Sequence, residues 1–204
     1  MPIELATLVA DFAVGMCVAD AARPIASRRM KKGQTPAFFK PGIGPHAEDK
    51  AVDLTVAQMC AANPARYSTL DTKVDYPNSA QECDLAVERG REWAIEVKMA
   101  RFSGDNGKPD PNAVKDLLSP FPIDRSALTD CDKLVASGLT GNKAVLIYGF
   151  EDDARALDLA ISAFEALASH RVGLGPRVSA QMSSLTHPVF KCGRVFAWEI
   201  SRRN

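Results

Sequence analysis

The stretch ECDLAVERGREWAIEVKMAR, Glu82 to Arg101, decides how this chain is read. Cys83, Leu85 and Val87 alternate with other residue types, and Trp93, Ile95, Val97 and Met99 do the same after a short polar break. Period-two alternation marks a strand with two unlike faces. Two such runs around Arg89-Gly90-Arg91 predict an antiparallel hairpin. One face must collect the apolar residues, because a slip of one residue would reverse a whole strand. Pairing Val87 with Trp93, Leu85 with Ile95 and Cys83 with Val97 meets that demand. The same register sets Asp84 opposite Glu96 on the other face, with Lys98 two residues further on.

Opposed like charges on a sheet are unfavourable, by up to about 1 kcal/mol when exposed. Two readings answer this cost. Lys98 alone offsets it on a wet strand face, or a divalent cation sits between the carboxylates. Mg²⁺ suits the second reading, since it takes one or two carboxylates together with water and phosphate oxygens. Glu88 and Glu92 oppose each other in the same register with no catalytic reason, so the hairpin alone leaves both readings open.

Upstream, residues 46–62 carry Ala51, Leu54, Val56, Met59 and Cys60 at helical spacing, and Pro64 stops the helix. Residues 67–76 form a strand with imperfect alternation, and PNSAQ is a turn. Downstream, SGDNGKPDP (103–111) is a loop, with too few ordered acids for a calcium loop. A short helix precedes Pro120 and Pro122. A second starts near Asp124 or Ser126 and buries Leu128, Cys131, Leu134 and Val135. NKAVLIYGF is a strand buried on both faces. Asp152 or Asp153 is expected to cap a helix presenting Leu157, Ala160, Ile161, Phe164, Leu167 and Ala168. Residues 173–176 read as a turn. VFKCGRVFAWEI supplies one or two final strands, with Gly193 at a turn or bulge.

At the N-terminus, Leu5, Leu8, Val9, Phe12, Ala13 and Met16 define an amphipathic helix. A Pro- and Gly-containing arm follows, in which Arg28, Arg29, Lys31, Lys32 and Lys40 gather without an acidic residue between them. It reads either as a phosphate-contacting arm or as a solvated linker whose Phe38 and Phe39 tuck into the core. The 204 residues fit one domain: an N-terminal helix and arm (1–44), a core (45–150), and a helix and strands completing the sheet (151–204).

Composition removes several classes. With 46% hydrophobic and 25% charged residues the chain is a folded protein rather than a disordered one. Lys plus Arg equals Asp plus Glu at 25 each, so any nucleic-acid contact must come from local clustering. Five scattered cysteines without a CxxC indicate neither a zinc ribbon nor a disulfide framework and suit a cytoplasmic protein. The three histidines have no metal-binding spacing, and no Walker loop, GxSxG elbow or membrane span is present.

The expected order is helix, three strands, helical region, strand, in an α/β layout with a central mixed sheet. Asp84 followed by Glu96-Val97-Lys98 on successive strands, with Glu48 on the preceding helix, resembles the PD-(D/E)xK nuclease superfamily and its restriction-endonuclease-like core. The resemblance covers about half the chain, and Cys83 stands where members often have proline. It implies a metal-dependent nuclease acting on DNA ahead of RNA, with Mg²⁺ or Mn²⁺ held by Asp84, Glu96 and the carbonyl of Val97. Lys98 would orient the attacking water, and Glu48 would bind metal through water. Arg28, Arg29, Lys31, Lys32, Lys40, Arg101 and Lys108 would contact the nucleic acid, and a homodimer is one arrangement the family admits. A non-catalytic nucleic-acid-binding or protein-interaction module of the same fold is the rival expectation.

Overall fold

A computed structural model describes every residue except Met1, Arg29, Lys31, Asn78, Pro111, Asp153, Ala154 and Asn204. In chain order the elements are α1 (Leu5–Ala21), α2 (Glu48–Ala62), β1 (Leu70–Asp75), β2 (Glu82–Val87), β3 (Trp93–Arg101), α3 (Ala113–Leu118) and α4 (Ala127–Ala136). There follow β4 (Asn142–Glu151), α5 (Asp158–Ala168), β5 (Gly173–Leu174), β6 (Val178–Met182) and β7 (Cys192–Ser201). The strands make one mixed sheet in the order β1-β2-β3-β4-β7, and β5 and β6 both pair with the far side of β7. Among the described residues only the β3–β4 pair is parallel, and its crossover carries α3 and α4.

Strand parity sorts the core into two layers. Leu85, Val87, Trp93, Ile95 and Val97 pack with Phe12, Met16 and Met59 of α1 and α2. Ala94, Ala100, Val145, Ile147 and Trp198 pack with Leu128, Cys131, Ile161 and Phe164 of α4 and α5. β4 feeds both layers and is buried throughout residues 144–150, as its continuous apolar run requires. Each fully buried large side chain contributes roughly 1.5–3 kcal/mol relative to exposure. Gly15 lets α1 approach α2 closely, since a Cβ there would lie 3.0 Å from both the Thr55 carbonyl oxygen and Met59 Cγ.

The hairpin register holds at Leu85↔Ile95 and Val87↔Trp93. Its connection is longer than expected, running through a 3-10 turn at Glu88–Gly90 in which Glu88, Arg89 and Gly90 all have positive φ. Glu88 and Glu92 therefore do not oppose each other. The Glu92 carboxylate instead accepts from the backbone N–H of Ile3. Residue Ser126 caps α4, its side chain accepting from Thr129 N. The Asp152–Asp153 expectation fails at α5, whose N-cap is Leu157 without a side-chain cap; Asp153 lies outside the described residues. Residues 173–182, expected to begin as a turn, supply β5 and β6. Gly193 is neither turn nor bulge. It sits inside β7, where a Cβ would come within 2.1 Å of the Gly149 carbonyl oxygen, so backbone proximity explains the glycine.

The N-terminal arm returns along the molecule as a small loop pinned by an isolated Ser27↔Phe38 bridge. Asp20, buried near the end of α1, accepts from Ile43 N at 2.8 Å and from Thr186 N at 2.5 Å. One carboxylate thus ties the end of the arm to the loop before β7.

Candidate functional site

The site begins where the sheet opens. Among the described residues β2 and β3 pair from Leu85↔Ile95 to Val87↔Trp93, and the rest of that edge of β3 has no partner strand. Backbone N–H groups withdrawn from water must still be paired. Val97 N donates to Asp84 Oδ2 at 2.9 Å, and Met99 N donates to Glu48 Oε2 at 2.5 Å. Two carboxylates, one from β2 and one from α2, therefore stand in for the missing strand. Cys83 turns its thiol to the backbone carbonyls of Leu85 at 3.1 Å and Ile95 at 3.3 Å and packs in the α4 layer, whereas the Leu85 and Val87 side chains pack in the other. The expected Cys83–Val97 pair and the direct opposition of Asp84 and Glu96 are thus absent, because the strands diverge one step earlier.

Divergence brings the predicted residues into one cleft of about 730 Å³, lined by Glu48, Asp84, Glu96 and Lys98. Glu48 and Asp49 reach it from α2, while Asp130 and Lys133 reach it from α4 on the other side of the sheet. Glu96 is 2% exposed, so the acidic face of β3 does not look into open water. Its Oε1 accepts from the Tyr76 hydroxyl and pairs with Lys133 Nζ at 2.8 Å. Lys98 Nζ lies 3.4 Å from Glu48 Oε1 and 3.3 Å from Asp130 Oδ2. Asp130 Oδ2 is buried and makes no hydrogen bond, so the lysine holds it by charge rather than by a well-directed N–H.

Lys73 completes the set. It sits in β1 with φ +57, a left-handed backbone that a side chain-bearing residue adopts at a cost of roughly 1–2 kcal/mol. The ladder pairs Thr72 and Val74 but skips Lys73, whose Nζ reaches Asp49 at 2.9 Å and Asp84 at 3.2 Å. Strain of this kind inside a strand concentrates at functional sites.

Carboxylates outnumber cations around the cleft, seven side chains to four. Burial, reinforced by the charges of Asp84 and Asp130 and opposed by Lys133, pushes the Glu96 carboxyl up to about 8. Burial also raises Glu48, against the pull of Lys98 and the Met99 N–H, and raises Asp130 against Lys98 and Lys133. Burial would discharge Lys98, but Glu48, Asp130 and Asp84 outweigh it and hold the ammonium charged. The Cys83 thiol, pushed up to about 12 by burial and the nearby Glu96 and Asp84 charges, stays neutral.

Among the described residues no three His, Cys, Asp or Glu side chains converge as a closed cation cage. Mg²⁺ asks for less, since one or two carboxylates with water and phosphate oxygens suffice. Asp84 and Glu96 fit that demand: their carboxylates repel each other across an acidic cleft, and the Val97 carbonyl faces the same open edge as its N–H. Each carboxylate is meanwhile neutralised by a lysine that a cation would have to displace.

Of the basic residues expected at nucleic acid, Arg28 and Arg101 line a second hollow beside the cleft. Lys32 and Lys108 are exposed, and the backbone N–H of Lys40 donates to Asp105 Oδ1 at 3.1 Å. Arg29 and Lys31 lie outside the described residues. Arg125 and Lys133 line the cleft, whereas Arg171 and Arg177 are bound to Asp132 and Glu165. Sequence reasoning missed Asp130, Tyr76 and Lys73. Asp130 left a signal, because it shares the helical stripe of Ala127, Cys131 and Leu134 and is a charge at a core position. Lys73 left none, because its role depends on a left-handed backbone that its neighbours do not announce.

No family model, curated protein or solved structure matches this chain.

Proposed function

We propose that the chain has a restriction-endonuclease-like core of the PD-(D/E)xK superfamily and is a metal-dependent nuclease hydrolysing DNA phosphodiester bonds. One observation carries this reading: Glu48, Asp84, Glu96 and Lys98 line a single cleft at the point where β2 leaves β3. Asp84 and Glu96 would hold Mg²⁺ or Mn²⁺, with the Val97 carbonyl beside them. A cation bound there supplies Lewis-acid polarisation of the phosphate and lowers the pKa of a bound water.

The chain's own residues do the rest. Asp84 and Glu48, tied to Val97 N and Met99 N, are fixed to the strand that carries Glu96 and Lys98, so the acids and the lysine keep a constant spacing. Lys98 stays charged, and its ammonium would orient the attacking water and offset charge building on the phosphoryl oxygens. Asp130 steers Lys98 from the side opposite Glu48. Lys133, partly exposed and 2.8 Å from Glu96, can leave that carboxylate and turn to the phosphate. A dimer is compatible with this proposal and would place two clefts on one duplex.

The rival reading is a non-catalytic nucleic-acid-binding or interaction module of the same fold. The lysine partners of Asp84, Glu96 and Glu48 favour it, since each of these three carboxylates already has a counter-charge without a cation. Incubating purified protein with duplex and single-stranded DNA in Mn²⁺ or Mg²⁺ separates the two. The nuclease cleaves, and Glu96→Ala and Lys98→Ala stop it with folding intact; equal cleavage by both variants removes the proposal.

A further inference from the structure

We infer that the hollow between the N-terminal arm and the loop after β3 is a phosphate subsite, taking a phosphodiester group of the same nucleic-acid strand whose neighbouring phosphate enters the cleft. This rests on the nuclease reading for its strand, but the anion chemistry is independent of it. The hollow measures about 710 Å³ and is lined by Arg28, Phe39, Arg101, Gly104 and Asp105 among others.

Its position follows from two chain segments that serve both cavities. Ala47 lines the hollow, and Glu48, the next residue, lines the cleft. Along β3, Lys98 lines the cleft and Arg101 lines the hollow. Three residues of strand span roughly 10 Å of backbone, and the two side chains leave opposite faces of β3, so a nucleic-acid strand that enters both cavities rounds the open edge of the sheet.

Its chemistry follows from the two guanidinium groups. Arg101 Nη1 donates to the Gly44 carbonyl at 2.8 Å, which fixes the plane of the group. Its Nε is buried and has no hydrogen-bond partner. An unpaired buried donor is costly, and a phosphate oxygen is an acceptor that the planar fork is shaped to take. Arg28 stands over the Phe39 ring at 4.9 Å, and its side chain is 45% exposed, so an incoming anion can reach it.

Asp105, the one carboxylate lining the hollow among the described residues, is already committed. His187 Nε2 donates to Oδ1 at 2.7 Å, and Arg28 Nη2 donates to Oδ2 at 2.7 Å. The His187 tautomer is set by Val189 N and Phe190 N, which both donate to Nδ1 and leave the proton on Nε2. Asp105 therefore positions Arg28 at the wall without presenting a bare charge. Two guanidiniums against one saturated carboxylate select an anion over a metal.

Binding of a short fluorescein-labelled oligodeoxythymidine to the full chain, followed by anisotropy in EDTA across a salt series, tests the subsite without any cleavage. Arg28→Gln should weaken binding about tenfold and reduce the slope of log K against log salt by about 0.7, the share of one phosphate contact on a single strand. Arg101→Lys should weaken binding while leaving the slope unchanged, because charge is kept and the fork is lost. Inorganic phosphate should compete with the oligonucleotide on the wild type and markedly less on Arg28→Gln.

Unchanged affinity and slope in Arg28→Gln, with wild-type circular dichroism, overturns the subsite. Calorimetric binding of inorganic phosphate that is lost in Arg28→Gln, without any oligonucleotide binding, overturns the strand assignment in favour of a free anion. The nuclease reading fails separately, on absence of cleavage in Mn²⁺. Loss of that activity with the Arg28 effect intact leaves the phosphate subsite standing.

Discussion

Asp84 Oδ2 accepts the backbone N–H of Val97 at 2.9 Å, so a side chain on β2 completes the edge of the strand from which β2 has just departed. The carboxylate does two jobs that substitution can separate. Asp84→Asn keeps an acceptor for Val97 N–H and removes the charge, whereas Asp84→Ala leaves the N–H unpaired. The alanine variant should lose about 1–3 kcal/mol of stability, the cost of an orphaned buried donor. The asparagine variant should lose less than half of that by urea denaturation. Under the proposed function both lose cleavage.

The pH dependence of the metal-free protein should carry the signature of Glu96. Its folded pKa of about 8 lies above its ordinary carboxylate value of 4.5. Between these values the folded state holds a proton that the unfolded state has released, so stability falls as pH rises through this window. Below about pH 4.5 this contribution no longer changes, because both states are protonated. Glu96→Gln should flatten the metal-free slope between pH 5 and 8, a range set by that pair of values, and raise the Tm at pH 8. A thermal-melt series across that range checks it, and an unchanged slope in the variant would contradict the account.

Lys98 is held between Glu48 and Asp130, and removing it leaves both acids without their counter-charge. Lys98→Met should cost about 3–5 kcal/mol, as breaking a buried pair does. Adding Asp130→Asn should restore part of the loss, giving a coupling of about 0.5–3 kcal/mol in a double-mutant cycle. Additive losses in urea denaturation would show that Asp130 does not position the lysine.

Metal binding is measurable apart from turnover. Mn²⁺ should raise the Tm of the wild type in a concentration-dependent way, reaching about 2.7 kcal/mol of added stability at a hundredfold excess over Kd. Asp84→Asn should abolish the effect. Lys133→Gln should lower the Mn²⁺ concentration needed, because it frees Glu96 Oε1 from its 2.8 Å partner. Calorimetric titration gives the same order independently.

The arm is latched on Asp105 by the Arg28 guanidinium and the backbone N–H of Lys40, while His187 anchors Asp105 itself. Asp105→Ala should release it, and trypsin should then cut near Arg28 and Lys32 faster than in the wild type, while the β-sheet circular dichroism is retained. Equal digestion rates would show that the remaining contacts, Asp20 with Ile43 and Thr186 and Arg101 with Gly44, suffice to hold the arm.

Much of the layout was legible because period-two and helical stripes are local properties. The parity of Leu85, Val87, Trp93 and Ile95 located the hairpin, and Ser126 marked the start of α4. Gly193 misled because a glycine required by the closeness of Gly149 on the neighbouring strand looks identical, in sequence, to one required by a turn. β6 escaped because a short edge strand with mixed exposure carries little apolar pattern of its own.

The sequence by itself determined the hairpin, the buried strand β4 and the terminal strand of the mixed α/β sheet, and the choice of Glu48, Asp84, Glu96 and Lys98 as the residues to watch. Only the tertiary structure decided how they meet. Where β2 stops pairing with β3 is set by long-range packing, including the placement of Cys83 in the α4 layer and the strained Lys73 on β1. That divergence opens the edge that Asp84 and Glu48 fill. It also lets α2 and α4 reach one cleft from opposite faces of the sheet, an arrangement no local periodicity encodes.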